Sequence, residues 1–257
     1  MTTFTAPPDQ TGLVLNFGDI LDVNSGGTAT DTTINALGTV NVNGGTATDT
    51  TIVTRSGRLF VDHGGIANGT IINGGMEDVG RSGGTANDTI INDGRLFVLN
   101  GGTANDTIVN RFGIEHVAGV SNNTTINGGV ESVDDGLANN VIFAGSKSIL
   151  ELARPAGLRG TISDWHVGDV IDFLHTSVTS VHENGTNTAL IIDYSTKNGL
   201  DHIDGTATYL LVGQQADTEF KLVSDGRGGT DLILTPIVGV QHHEAAIHFG
   251  PGPHFFF

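Results

Sequence analysis

The chain has 257 residues, 38 of them glycine, with 15% charged residues, no cysteine and a formal net charge of −17. This composition suits a repetitive β-protein, excludes disulfides and thiolate chemistry, and offers no basic cluster for nucleic acid or a polybasic membrane contact. The charge is spread evenly, with 15 acids against 6 bases up to residue 150 and 13 against 5 beyond it. No run approaches the ~18 apolar residues of a membrane helix, so no membrane insertion is expected.

Residues 1–18 read as a short N-terminal segment. The opening "MTTFTAPPDQTGLVLNFGDI" has neither the positive n-region nor the apolar h-region of a signal peptide. An exported form is therefore expected to travel without a cleaved N-terminal signal.

Residues 19–150 repeat. "SGGTANDTIIN" at 82–92 returns as "NGGTANDTIVN" at 100–110. Aligned on the Gly-Gly pair, copies start at Gly26, Gly44, Gly64, Gly83 and Gly101, with degenerate ones at Ala118 and Asp135, in steps of 17 to 20 residues. A small residue follows in each (Ala29, Ala47, Ala67, Ala86, Ala104, Ser121, Ala138). Five places on comes an apolar one (Ile34, Ile52, Ile72, Ile91, Val109, Ile126, Phe143). A second glycine turn then leads to Val42, Val61, Val79, Val98, Val117, Val133 or Ile149. Glycine supplies tight turns, and Thr, Val and Ile favour extended chain. A coil of this kind cannot bury its inner face alone, so copies must stack. The pattern predicts an all-β solenoid of about seven coils, each with two glycine turns and two short strands.

The motif "GGTATDTTI" at Gly26, nearly repeated at Gly44, resembles the repeat of AIDA-type autotransporter adhesins. The resemblance implies a right-handed β-helical passenger exposed on a bacterial surface, with heptose carried on Ser or Thr. It covers residues 19–150 alone. The 107 residues after Leu150 are too few for the translocating barrel of that family.

Residues 151–236 lose the period. "GLRGTISDWHVGDVIDF" and "FKLVSDGRGGTDLILT" resemble the C-terminal module that follows such repeats in secreted bacterial proteins. They predict a β-rich cap over the open core. The tail, 237–257, holds four of the ten histidines and ends in Phe255, Phe256 and Phe257. It reads as an uncleaved export signal, as a frayed terminus, or as a self-association element whose aromatics carry much apolar area.

Three chemistries are weighed on these residues. Calcium is a possible ligand of Asp31, Asp49, Asp88 and Asp106, which share part of the calcium β-roll motif, and of Asp225 and Asp231; no other cofactor is expected. The competing reading is that these acids bond to backbone in turns. Thr32, Thr50, Thr70, Thr89 and Thr107 recur at one position and, by the family resemblance, are candidate glycan acceptors; the competing reading is plain strand formation. Catalysis is not expected, because the coils carry no long inserted loops, and the acid pairs Glu77-Asp78 and Asp134-Asp135 read as solvated strand ends.

The function expected is an extracellular or cell-surface structural and adhesive rod, not an enzyme. Its partners would be copies of itself, assembling head-to-tail into filaments of a surface or biofilm matrix, or cell-surface glycans and proteins. The alternatives are a monomeric carbohydrate-binding adhesin and a β-helical polysaccharide lyase or hydrolase.

Overall fold

The computed structural model describes residues 1–80, 82–184, 189–198 and 201–237. Expectations placed on the tail, including Phe255, Phe256 and Phe257, lie outside the described residues.

Three parallel sheets wind into a solenoid of about nine turns. The first contains Thr3–Ala6, Ile20–Asn24, Thr39–Asn43, Arg58–Asp62 and Met76–Val79, and it ends with Val130–Val133, Ile149–Leu152 and Val170–Phe173. The second starts with Gln10–Thr11, Thr28–Thr30 and Thr46–Thr48, and the third with Val14–Leu15, Thr33–Ile34 and Thr51–Ile52. The strands Ile90–Val98 and Ile108–Val117 each bend from the third sheet into the first.

The β-solenoid class is as expected, with two differences in detail. The coils have three strands, because the chain also turns at a third corner, held by Asp or Asn in most copies and by Gly12 or Gly69 in others. Coils also form outside 19–150, with Thr3–Ala6 pairing with Ile20–Val23 and Val170–Phe173 with Ile149–Leu152.

That extra corner has a local cause. Asp31, Asp49, Asp88, Asp106, Asn123 and Asn140 all have φ between 54° and 61°. This left-handed region is one that Asp and Asn tolerate better than other residues with a Cβ. The corner shifts the inward and outward alternation by one residue. Ala29 and Thr32 both face the core, and the alternation resumes with Ile34 inward.

The core is a set of ladders. Ala29, Ala47, Ala67, Ala86 and Ala104 stack in one, Ile34, Ile52, Ile72, Ile91 and Val109 in another, and Val23, Val42, Val61, Val79 and Val98 in a third. Each buried Ile or Val contributes about 1.5–3 kcal/mol of transfer free energy. The rung expected at Ile149 falls elsewhere: Ile149 pairs with Val130, and Leu152 sits beside Val133. A longer turn through Gly145 and Lys147, both with positive φ, delays the strand there.

Close stacking also dictates one glycine of each pair. A Cβ on Gly84 would overlap the Val61 carbonyl of the preceding coil. Outside the core, asparagines bond coil to coil. Asn87 Nδ2 donates to Asn68 Oδ1, Asn105 to Asn87 and Asn122 to Asn105, each at 2.8 Å.

The far end is closed by antiparallel strands. Thr176–Glu183, Ala189–Asn198 and Asp201–Val212 form a meander, and Thr218–Ser224 and Thr230–Pro236 form a hairpin. The meander pairs with Thr161–Ser163 and the hairpin with Val170–Phe173, so the last coil has partners on both of these edges. Trp165, fully buried, stands between Phe143 at 5.7 Å and Phe220 at 5.3 Å and plugs the core. Among the described residues no helix is long and apolar enough to cross a membrane.

Candidate functional site

The threonine ladder lies inside the rod. Thr32, Thr50, Thr70, Thr89 and Thr107 are at most 1% exposed, so the folded coil offers none of them to a glycosyl donor. The left-handed corner just before each one turns it inward. Their neighbours Thr30, Thr33, Thr48 and Thr51 face outward and are partly exposed.

The aspartates proposed for calcium do not converge. Among the described residues no group of three or more His, Cys, Asp and Glu side chains is arranged to hold a metal. Asp31, Asp49, Asp88 and Asp106 sit at exposed corners, where Gly69 interrupts the column. Asp225 spends Oδ1 on its own turn, accepting from the Arg227 and Gly229 amides at 2.6 and 2.9 Å. Those backbone bonds hold its carboxyl below the ordinary range. Asp231 lies directly across from Asp172. Burial, reinforced by the charges of Asp231 and Asp225, pushes Asp172 up to about 6.

Three glutamates occupy core positions that hydrophobic spacing did not flag. Glu77 is not a solvated strand end; it is fully buried in the ladder that holds Leu59 and Leu96. The Thr70 and Thr89 hydroxyls donate to it at 3.4 and 3.3 Å. Glu115 accepts from Thr107 and Thr124 at 3.4 and 3.0 Å. Glu131, stacked on Glu115, has no hydrogen-bond partner among the described residues for either carboxyl oxygen, although the Ser121 and Thr124 hydroxyls lie near enough to offset part of its burial. Burial outweighs the hydroxyl contacts and raises Glu77 to about 8 and Glu115 to about 7. Glu131 is also pushed upward, first by burial and then by the charge of Glu115. Thr70, Thr89, Thr107 and Thr124 thus act as hydroxyl donors to interior acids, whereas the Thr32 and Thr50 hydroxyls are buried with no hydrogen-bond partner among the described residues.

The outer surface carries the other constellation. Arg55, Arg58, Arg95 and Arg111, four of the six bases before residue 151, lie on or beside the first sheet, the first two on one coil and the others on the two coils beyond the intervening Met76–Val79 strand. The turn at Gly74 bears no side chain, whereas the corresponding turns present Arg55 and Asp93 on the flanking coils and Phe112 one coil further on. The result is a notch of about 360 Å³ lined by those residues with Arg95 and Ile114. Arg55 reaches over the gap to Asp93 at 3.9 Å. Arg111 lies 5.2 Å from the Phe112 ring centre. Beside the notch Phe97 and His116 stack at 4.9 Å with their planes 8° apart. The individual residues were visible in the sequence, but their convergence depends on coil register.

These features define a capped β-solenoid rod with polar ladders outside and an acid-threonine seam inside. Among solved structures, the chain is similar to the TibC-catalysed hyper-glycosylated fragment of TibA, with 32% sequence identity and a TM-score of 0.56. The match covers 65% of this chain and 62% of that one, so the chain spans less than two thirds of the fragment's length. No protein-family model and no curated protein matches the sequence.

Proposed function

We propose that the protein is the rod of a bacterial surface adhesin, a non-catalytic scaffold that repeats polar contacts along its length. The carrying observation is the likeness to the TibA fragment at 32% identity over a shared solenoid. The AIDA-type motif of the repeats supports the same reading. Uniform coils with flat outer faces suit many weak contacts that add by multivalency. The short turns, without long inserted loops, favour a binding scaffold over a lyase or hydrolase.

Because the TibA fragment is hyper-glycosylated, glycan acceptance is carried over as part of this proposal, with the acceptors moved to outward hydroxyls such as Thr30, Thr33, Thr48 and Thr51. The direct test is adherence of beads coated with the purified chain to epithelial and bacterial cells. Binding no greater than that of albumin-coated beads would remove the adhesin reading.

Self-association through the edge of the first coil is a second reading. Thr3–Ala6, Gln10–Thr11 and Val14–Leu15 are bonded only to the next coil among the described residues, and such an edge templates a further strand. The opposite end is engaged by the cap, which favours edge-to-edge pairs over an open head-to-tail filament. Sedimentation velocity over a range of concentrations and negative-stain microscopy test this: a single monomeric species at all concentrations counts against it.

A further inference from the structure

We propose that the notch walled by Arg55, Arg95 and Phe112 binds the carboxylated pyranose ring of an acidic oligosaccharide; this rests on the adhesin reading and gives it a site. Four observations carry the assignment. The notch is concave and of about 360 Å³, within the ~300–1,000 Å³ of small-ligand sites. Its floor at Gly74 has no side chain to fill it, although its rims do. Its cations stand on a protein of net charge −17, so an anion meets a favourable field here and repulsion over most of the remaining surface.

The groups present are also of the right kinds. Arg95 is exposed and forms no ion pair among the described residues, so its planar guanidinium is available for two parallel bonds to a carboxylate. Phe112, 65% exposed, offers a ring for the apolar face of a sugar, and Arg111 packs on it. The Arg55–Asp93 contact is long and solvent-exposed, and such pairs are weak. Both groups can therefore turn to ring hydroxyls, Asp93 as acceptor and Arg55 as donor. The Phe97–His116 stack extends the platform for a second sugar.

The test is isothermal titration of the full chain with trigalacturonate and sialyllactose, against neutral galactotriose and lactose. The expected result is binding of at least one acidic sugar and not of its neutral counterpart, weakening as salt rises. Arg95→Ala and Phe112→Ala should each reduce affinity about tenfold or more. Arg159→Ala, an equal loss of charge on another exposed surface, should leave it unchanged. All three side chains are exposed, and circular dichroism of each variant checks the fold.

No binding of either acidic sugar, or equal binding by the Arg95 and Phe112 variants, overturns the proposal. If Arg95→Ala changes only the sedimentation of the protein, the face is a contact between copies and the sugar proposal also falls. Cell adherence separates the two readings. Wild-type adherence unaffected by Arg95→Ala removes the notch and leaves the adhesin; no wild-type adherence removes the adhesin, whatever the titration gives.

Discussion

Glu131 stands in register with Glu115 on the neighbouring coil, and both carboxyls are fully enclosed in the core. Glu115 accepts from two hydroxyls, whereas neither Glu131 oxygen has a hydrogen-bond partner among the described residues, so the ladder stacks a satisfied acid on an unsatisfied one. Two adjacent charges in a medium of low polarity repel strongly. The pair therefore retains protons at a pH where exposed glutamates have lost them.

Stability should fall as pH rises. The glutamates start from 4.5 in the open chain and reach about 8 at Glu77 and about 7 at Glu115 in the fold. Between those limits the native state binds more protons than the unfolded chain, so each step up in pH favours unfolding. The contribution is complete below about pH 4.5, declines through pH 7–8 and then levels off. Carboxyls held low, such as Asp225, titrate below this window. Calorimetry from pH 5 to 9 should show a melting temperature that drops towards the alkaline end. A flat profile would contradict the buried acids.

Glu131→Leu should stabilise the rod at pH 7.5. Leu150 already occupies the same ladder on the next coil, so the side chain fits its neighbours. Removing an unpartnered buried polar group recovers about 1–3 kcal/mol. Urea unfolding followed by circular dichroism measures the shift, and the gain should shrink towards pH 5, because a carboxyl whose pKa is raised in the fold stabilises the wild type most at low pH.

Adjacent glycines should respond unequally to alanine. Gly83 has φ of +86° and open space around its Cβ position, so Gly83→Ala costs about 1–2 kcal/mol of backbone strain. Gly84→Ala drives a methyl into the Val61 carbonyl and should part the coils locally, with a larger loss. Thermal melts of the two variants decide it, and equal losses would mean that coil spacing is softer than the structure has it.

Trp165→Ala removes the middle ring of the plug between Phe143 and Phe220. The truncation should cost about 3–5 kcal/mol. It also uncovers the core end, so binding of a hydrophobic dye should rise before global unfolding. Loss of stability without dye binding would mean that the hairpins seal the core unaided.

Much of the solenoid was legible in the order of residues, and the reasons are local. Ala29, Ile34 and Val42, with their counterparts, recur at fixed distances from glycine turns, and a small or β-branched residue at a fixed phase says which way it faces. The loss of the period after Leu150 did not mark where coiling ends, since Val170–Phe173 still stacks on Ile149–Leu152. Other features broke the phase rule. Thr32 and Thr33 look interchangeable in sequence, but the left-handed Asp31 assigns one to the core and the other to solvent. Glu77 and Asp78 look like a solvated pair until the register places Glu77 between Leu59 and Leu96.

The sequence by itself determined a β-solenoid with alanine, isoleucine and valine ladders, because these follow from period and from the turn and strand preferences of single residues. Only the tertiary structure decided that Thr70, Thr89, Thr107 and Thr124 serve buried glutamates and that Arg55, Asp93, Arg95 and Phe112 line a gap at Gly74. Those meetings join residues up to three coils apart, and they depend on small differences in turn length that local preference does not encode.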